Sequence, residues 1–190
     1  MEQAFALAHR WHLGITRKGT DIPYISHLMA VCVLVLENGG TPEQTSAALL
    51  HDILEDTDCT IDEIKEKVGS DVARIVWECT HTDFADIADK EAKTIAKKQF
   101  YLDRLLSPDR LEAANLVALC DKVHNMECTV SDWHKNDHDQ SQMFAAFNGG
   151  WDVQKWWYTS LADTFDKLNV PDNLRTRFRT AVETVFGGNQ

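Results

Sequence analysis

The sequence is short of positive charge. Lys and Arg number 19 against 30 Asp and Glu, for a formal net charge of −11. A general nucleic-acid binder needs a basic surface to neutralise phosphates, so nucleic acid is set aside as a partner. An anionic substrate would need a metal ion or a few local cations to mask the field. No CxxC spacing occurs either: the five cysteines, Cys32, Cys59, Cys79, Cys120 and Cys128, are odd in number and far apart. That argues against a disulfide framework and for a reducing compartment, with Cys32 and Cys120 as core thiols in apolar runs. No apolar stretch is long enough for a membrane span, and the start Met1-Glu2-Gln3 carries an early acid unlike a signal peptide. The expectation is a cytoplasmic protein with no membrane partner. A Gly-rich phosphate loop of the Walker or Rossmann type is also missing, as are internal repeats and low-complexity tracts.

What is there suits one filled core. At 190 residues, with 44% hydrophobic and 26% charged residues, a single domain over 1–190 is expected. Apolar residues recur at helical spacing along most of the chain. The expected helices cover residues 3–16, Tyr24–Leu36, Thr41–Thr57, Thr60–Lys67, Ser70–Cys79 and 90–106. One more starts at Pro108, another carries Trp151 to Phe165, and the last starts at Pro171. The class is all-α, a compact bundle of roughly eight to ten helices. The Val-rich run 31–35 has strand propensity, but helices on both sides and the stop Asn38-Gly39-Gly40 favour helix. Two capping boxes are expected, at Thr41-Pro42-Glu43-Gln44 and at Thr60-Ile61-Asp62-Glu63. The polar stretch Asp132–Asp139, with His134 and His138, reads as a solvated loop, and His81–Asp83 as the start of an outward excursion.

Chemistry concentrates in Leu50-His51-Asp52-Ile53-Leu54-Glu55-Asp56-Thr57. On a continuous helix His51 lies one turn before Glu55, and Asp52 one turn before Asp56. Three carboxylates within one turn repel each other, and burial makes each worse, so a divalent cation among them would relieve the crowding. The competing reading is a solvated acidic helix end. His27, leading an apolar helix, and Asp121, an acid inside Leu119-Cys120-Asp121-Lys122-Val123, fit the metal idea. Asp121 could instead pair with Lys122 or His124. Two His and two carboxylates form a mixed nitrogen and oxygen shell that suits manganese, iron or zinc better than calcium.

His27, His51-Asp52 and Asp121, in that order, resemble the HD-domain metal-dependent phosphohydrolases. Three stretches narrow the resemblance to the hydrolase domains of the RelA/SpoT homologues. Arg17-Lys18 before Pro23-Tyr24-Ile25-Ser26-His27 is similar to their RK…PYxxH entry. His51 to Thr57 is similar to their HDxxEDT stretch, and Ala118 to Met126 to their LADKxxNM stretch. The likeness is firm over roughly residues 1–130 and looser beyond, with a motif core at 17–130 and C-terminal helices at 139–187 packing on it. It implies a stand-alone small alarmone hydrolase that removes the 3′-pyrophosphate from ppGpp and pppGpp, usually with manganese. It also implies roles: His27, His51, Asp52 and Asp121 hold one divalent ion, and Glu55 and Asp56 position and activate the attacking water. Arg17, with Lys18 beside it, takes the base, and Asn125 the ribose. Lys97-Lys98 stand where relatives carry an Arg-Lys pair, as cations toward the substrate, and Leu28 stands where a Pro usually follows the His. The alternatives are an HD enzyme acting on ppApp or on the 2′-phosphate of NADPH, or a catalytically silent nucleotide-binding regulator.

Overall fold

The computed structural model describes residues 1–80, 86–144 and 148–188. The excursion expected around His81–Asp83 lies outside the described residues. Among the described residues the structure is helical, with one isolated antiparallel bridge, Thr16 to Pro23. Nine helices of seven or more residues and two shorter ones occur, so the all-α expectation holds. No helix among them is long and apolar enough to cross a membrane.

The chain divides into two compact units. Unit 1 comprises residues 1–80 and 111–124, and unit 2 comprises 81–110 and 125–190. Unit 1 holds α1 (Glu2–Trp11), α2 (Ile25–Glu37), α3 (Pro42–Ala48), α4 (Ile53–Asp56), α5 (Ile61–Val68), α6 (Ser70–Cys79) and the first half of α8 (Ala113–Lys135). Helix α3 sits at its centre, packed on α1, α2 and α6. Its Ala47 and Ala48 are fully buried, as are Leu28, Val31 and Val35 of α2. Cys32 and Cys120 are core thiols as expected.

Local chemistry sets the helix starts. Thr41 Oγ1 accepts from the Gln44 N–H at 3.2 Å, and Gln44 Oε1 accepts from the Thr41 N–H at 2.9 Å, a complete capping box. Gln44 Nε2 also donates to the carbonyl of Ala113 at 2.7 Å, which anchors the start of α8 to α3. The second expected box is half made. Thr60 caps Glu63, but the Glu63 carboxylate turns away to Arg10 at 2.6 Å. A charge-assisted bond outcompetes a bond to one backbone N–H.

Three boundaries differ from expectation. Helix α1 stops at Trp11 because the chain enters a hairpin-like loop, with Arg17 N–H to Ile22 O at 2.8 Å and Tyr24 N–H to Ile15 O at 2.9 Å. Helix α8 starts at Ala113, not Pro108, because residues 107–110 close a turn of their own (Arg110 N–H to Ser107 O, 3.1 Å). At its far end α8 runs on through His134 and Lys135, a stretch expected as loop. The Lys135–Asp132 pair at 3.2 Å supports that last turn, and the chain leaves it at Asp137 and His138, both with positive φ.

Unit 2 holds α7 (Lys90–Leu105), the rest of α8, α9 (Gln140–Phe144), α10 (Gly150–Phe165) and α11 (Asp172–Phe186). Helix α10 packs on α7, α9 and α11. Aromatic rings fill the space: Trp151 meets Phe186 at 4.9 Å, and Phe165 meets Phe178 edge-on at 5.7 Å.

Candidate metal centre

The His51-Asp52 pair does not sit within one long helix. Helix α3 ends at Ala48, and bonds from Leu50 N–H to Ala47 O and from Ile53 N–H to Leu50 O tighten the chain into turns before α4 begins at Ile53. The break has a chemical cause. The Ala48 carbonyl, which a continuing helix would offer to the Asp52 N–H, accepts instead from His51 Nδ1 at 2.8 Å. Thr57 closes the far end by donating to Ile53 O at 2.6 Å and accepting from the Cys59 N–H.

This turn brings His51 and Asp52 against His27 on α2 and Asp121 on α8. His51 Nε2 lies 3.0 Å from Asp52 Oδ2 and 3.5 Å from Asp121 Oδ1; His27 Nε2 lies 3.5 Å and 3.1 Å from the same two oxygens. Both histidines are buried, at 1% and 2% exposure, and Asp121 at 5%. Neither Nε2 has a hydrogen-bond partner despite these distances, so a proton on either ring would not point at an oxygen. On His51 the ring proton belongs on Nδ1, because a carbonyl only accepts. Its Nε2 lone pair therefore faces carboxylate lone pairs in a buried place. Such an arrangement needs one positive centre shared by all four atoms. His27, His51 and Asp52 offer ligand atoms within 4.8 Å of one another, and the residues present fit a divalent ion.

With no cation between them, the charges of the cluster favour a proton on His51 in its place. Burial works against charge on His51, but Asp52 and Asp121 outweigh it and hold the imidazole well above its ordinary value. Burial likewise opposes ionisation of the two aspartates. The His51 and His27 rings still keep Asp52 well below its ordinary value, and Lys122 with the two histidines does the same for Asp121.

Supporting groups surround the cluster, and one of them, Lys122, is the partner that the sequence offered for Asp121. The Tyr24 hydroxyl donates to Asp52 Oδ2 at 2.6 Å, and its ring stacks nearly parallel on His12. Lys122 Nζ takes Asp121 Oδ2 at 2.5 Å, which leaves Oδ1 for the histidines. His124 Nδ1 lies 2.7 Å from His27 Nδ1 and 3.4 Å from Arg17 Nη1. Burial pushes His124 down to about 4, with His27 and Arg17 adding to the effect. In the sequence, Tyr24 was visible only as a letter inside a motif, and His124 only as an alternative partner of Asp121. The partners that give them roles lie 28 and 97 residues away.

The remaining expected residues are placed as follows. Arg17 is half-buried in the loop after α1, and Lys18 beside it is exposed. Glu55 and Asp56 are exposed at the end of α4. Desolvation by the surrounding protein pushes the Asp56 carboxyl up to about 6, with Asp52 and Glu55 raising it further. Asn125 is half-buried on α8, one residue past His124, and belongs to unit 2. Lys97 and Lys98 lie on α7 of unit 2, where Lys98 Nζ sits 4.2 Å over the Trp157 ring.

Asp56 yields a prediction about stability. Its folded value of about 6 lies above the ordinary 3.8, so its ionisation costs folding free energy above about pH 6. The cost fades as pH falls from about 6 toward the ordinary value, because the folded state takes up the proton first. In EDTA, Asp56→Asn is therefore expected to raise the melting temperature at pH 7.5 and to give a much smaller gain at pH 4. An equal shift at both values would sink the assignment.

Comparison with known proteins follows the same lines. The HD-domain family model matches residues 4–147. The chain is 34% identical over 127 residues to a GTP pyrophosphokinase of Streptomyces antibioticus, spanning 66% of this chain but only 14% of that protein. It is 32% identical over 141 residues to the human guanosine-3′,5′-bis(diphosphate) 3′-pyrophosphohydrolase MESH1, covering 70% of this chain and 74% of that one. Among solved structures, a metazoan ortholog of SpoT described as hydrolysing ppGpp superposes with a TM-score of 0.71 at 22% identity. That superposition covers 95% of this chain and 92% of the other. The fold is shared at that level.

Proposed function

This chain belongs to the HD-domain family, and from that premise we propose that it hydrolyses the 3′-pyrophosphate of guanosine alarmones, converting ppGpp or pppGpp to GDP or GTP and pyrophosphate. The observation that carries the reading is the set of two buried imidazole nitrogens facing two carboxylate oxygens at 3.0–3.5 Å. Support for the substrate class comes from the human relative, of which the chain covers 74%. His27, His51, Asp52 and Asp121 hold one divalent ion in this reading, with manganese as the proposed metal. Bound there, it supplies Lewis acidity toward a phosphoryl oxygen and lowers the pKa of a water.

The chain's own residues do the rest. Glu55 and Asp56, at the end of the short helix after the ligand pair, orient the attacking water and take its proton. The bond from the ribose 3′ oxygen to phosphorus breaks, and that oxygen leaves as a hydroxyl after taking a proton. Arg17 stacks its guanidinium on the base, which its planar shape does better than the neighbouring Lys18 ammonium. Tyr24 and Lys122 keep Asp52 and Asp121 turned toward the centre, each by holding one carboxylate oxygen.

The test is product analysis. With manganese and ppGpp, the purified chain is expected to release GDP and pyrophosphate in equal amounts. No turnover of ppGpp, with orthophosphate released from the 2′ position of NADPH, would replace the reading with the other HD chemistry. Arg17→Ala tests the base contact. Stacking on a base contributes about 1–3 kcal/mol, and it is available to ground and transition states alike. KM is therefore expected to rise about tenfold or more while kcat changes little. A fall confined to kcat would remove Arg17 from the base.

A further inference from the structure

We propose that His124 is a positioning residue that fixes the tautomer of His27 and ties that ligand to Arg17 through the same nitrogen. The identity of the ion rests on the function proposed above, but the wiring stands on the geometry of unit 1 alone.

A guanidinium has only donors. At 3.4 Å from Arg17 Nη1, His124 Nδ1 is therefore the acceptor. A nitrogen that accepts carries no proton, so in the 2.7 Å contact between the two rings the donor is His27 Nδ1. A neutral imidazole has one N–H. With it on Nδ1, His27 keeps its lone pair on Nε2, the atom 3.1 Å from Asp121 Oδ1 and buried without a hydrogen-bond partner. The reverse arrangement would place the proton on Nε2 and close the centre to a cation. His51 reaches the same tautomer by a different route, through the carbonyl of Ala48. His124 stands three residues after Asp121 on α8, so one helix delivers both a carboxylate oxygen and the acceptor that orients the opposing imidazole. Because the two contacts share one nitrogen, losing it should disturb the centre and Arg17 together.

Two variants separate the acceptor from the bulk of the ring. His124→Asn keeps a carbonyl oxygen near the position of Nδ1, and His124→Leu fills the space without one. Manganese binding is measured by calorimetry on the full chain without nucleotide, beside the melting temperature. His124→Leu is expected to bind manganese about ten- to a hundredfold more weakly, the usual effect of losing a partner that orients a ligand, and His124→Asn to recover most of that loss. The Arg17 arm is read as a rise in KM in the Leu variant that Asn also recovers. Should neither variant fold, ¹⁵N spectra of the wild-type chain in EDTA decide, with His27 expected protonated at Nδ1. Wild-type affinity in His124→Leu, equal losses in both variants, or a His27 protonated at Nε2 would overturn the proposal. If the manganese pattern holds but ppGpp yields no pyrophosphate, the wiring stands and the substrate reading falls.

Discussion

The E55Q/D56N double variant is expected to lose at least about two orders of magnitude in turnover, roughly the contribution of a positioned general base. Its manganese affinity should stay within a few-fold of wild type. Both acids lie on α4, immediately after the turn that carries His51 and Asp52, and both are exposed. Amides keep their shape and remove charge and proton acceptor alone. Near-normal turnover in the double variant would mean that another group activates the water. Loss of manganese would move the pair into the ligand shell.

Loss of metal and loss of activity should coincide in Asp52→Ala. Asp52 Oδ2 faces both histidines and is pinned by Tyr24 at 2.6 Å, so truncation removes one of the four facing atoms from the centre. Metal content by elemental analysis is expected to fall to near background, with hydrolysis undetectable. Asp121→Ala should be as severe on metal and worse for stability. It strips Lys122 of the carboxylate at 2.5 Å and leaves an ammonium, 12% exposed, facing the centre that must hold a cation. The melting temperature is the measurement that distinguishes the two aspartates. Full manganese occupancy in Asp121→Ala would remove that residue from the shell.

Much of this was legible in the sequence. The all-α class followed from apolar periodicity, and α6 was read to its ends at Ser70 and Cys79 because Gly69 and Thr80 bound it on either side. Asp121 stood out because an acid in an apolar run is costly without a partner, and the fold gives it Lys122 and two histidines. What periodicity missed was the break between α3 and α4. The helix rule assumes that each carbonyl waits for a backbone N–H four residues on, and here a histidine side chain claims the Ala48 carbonyl first. The same blindness hid the half-made box at Thr60, where Glu63 prefers Arg10, 53 residues away in sequence. Short-range patterns describe what a residue can do for its neighbours. Tyr24 and His124 matter for the side chains that the fold brings to them.

The Ala48 carbonyl also bears on how such a site can vary over generations. Every residue except at a chain end brings the same carbonyl, so no exchange of the side chain at position 48 deletes the group that aims His51. The aim of His27 resides in an imidazole that one codon change can remove. Inherited variation in metal affinity is thereby channelled toward the His27 half of the centre, while the His51 half is buffered by the main chain. A lineage can loosen or tighten its grip on the ion at position 124 without touching a single ligand.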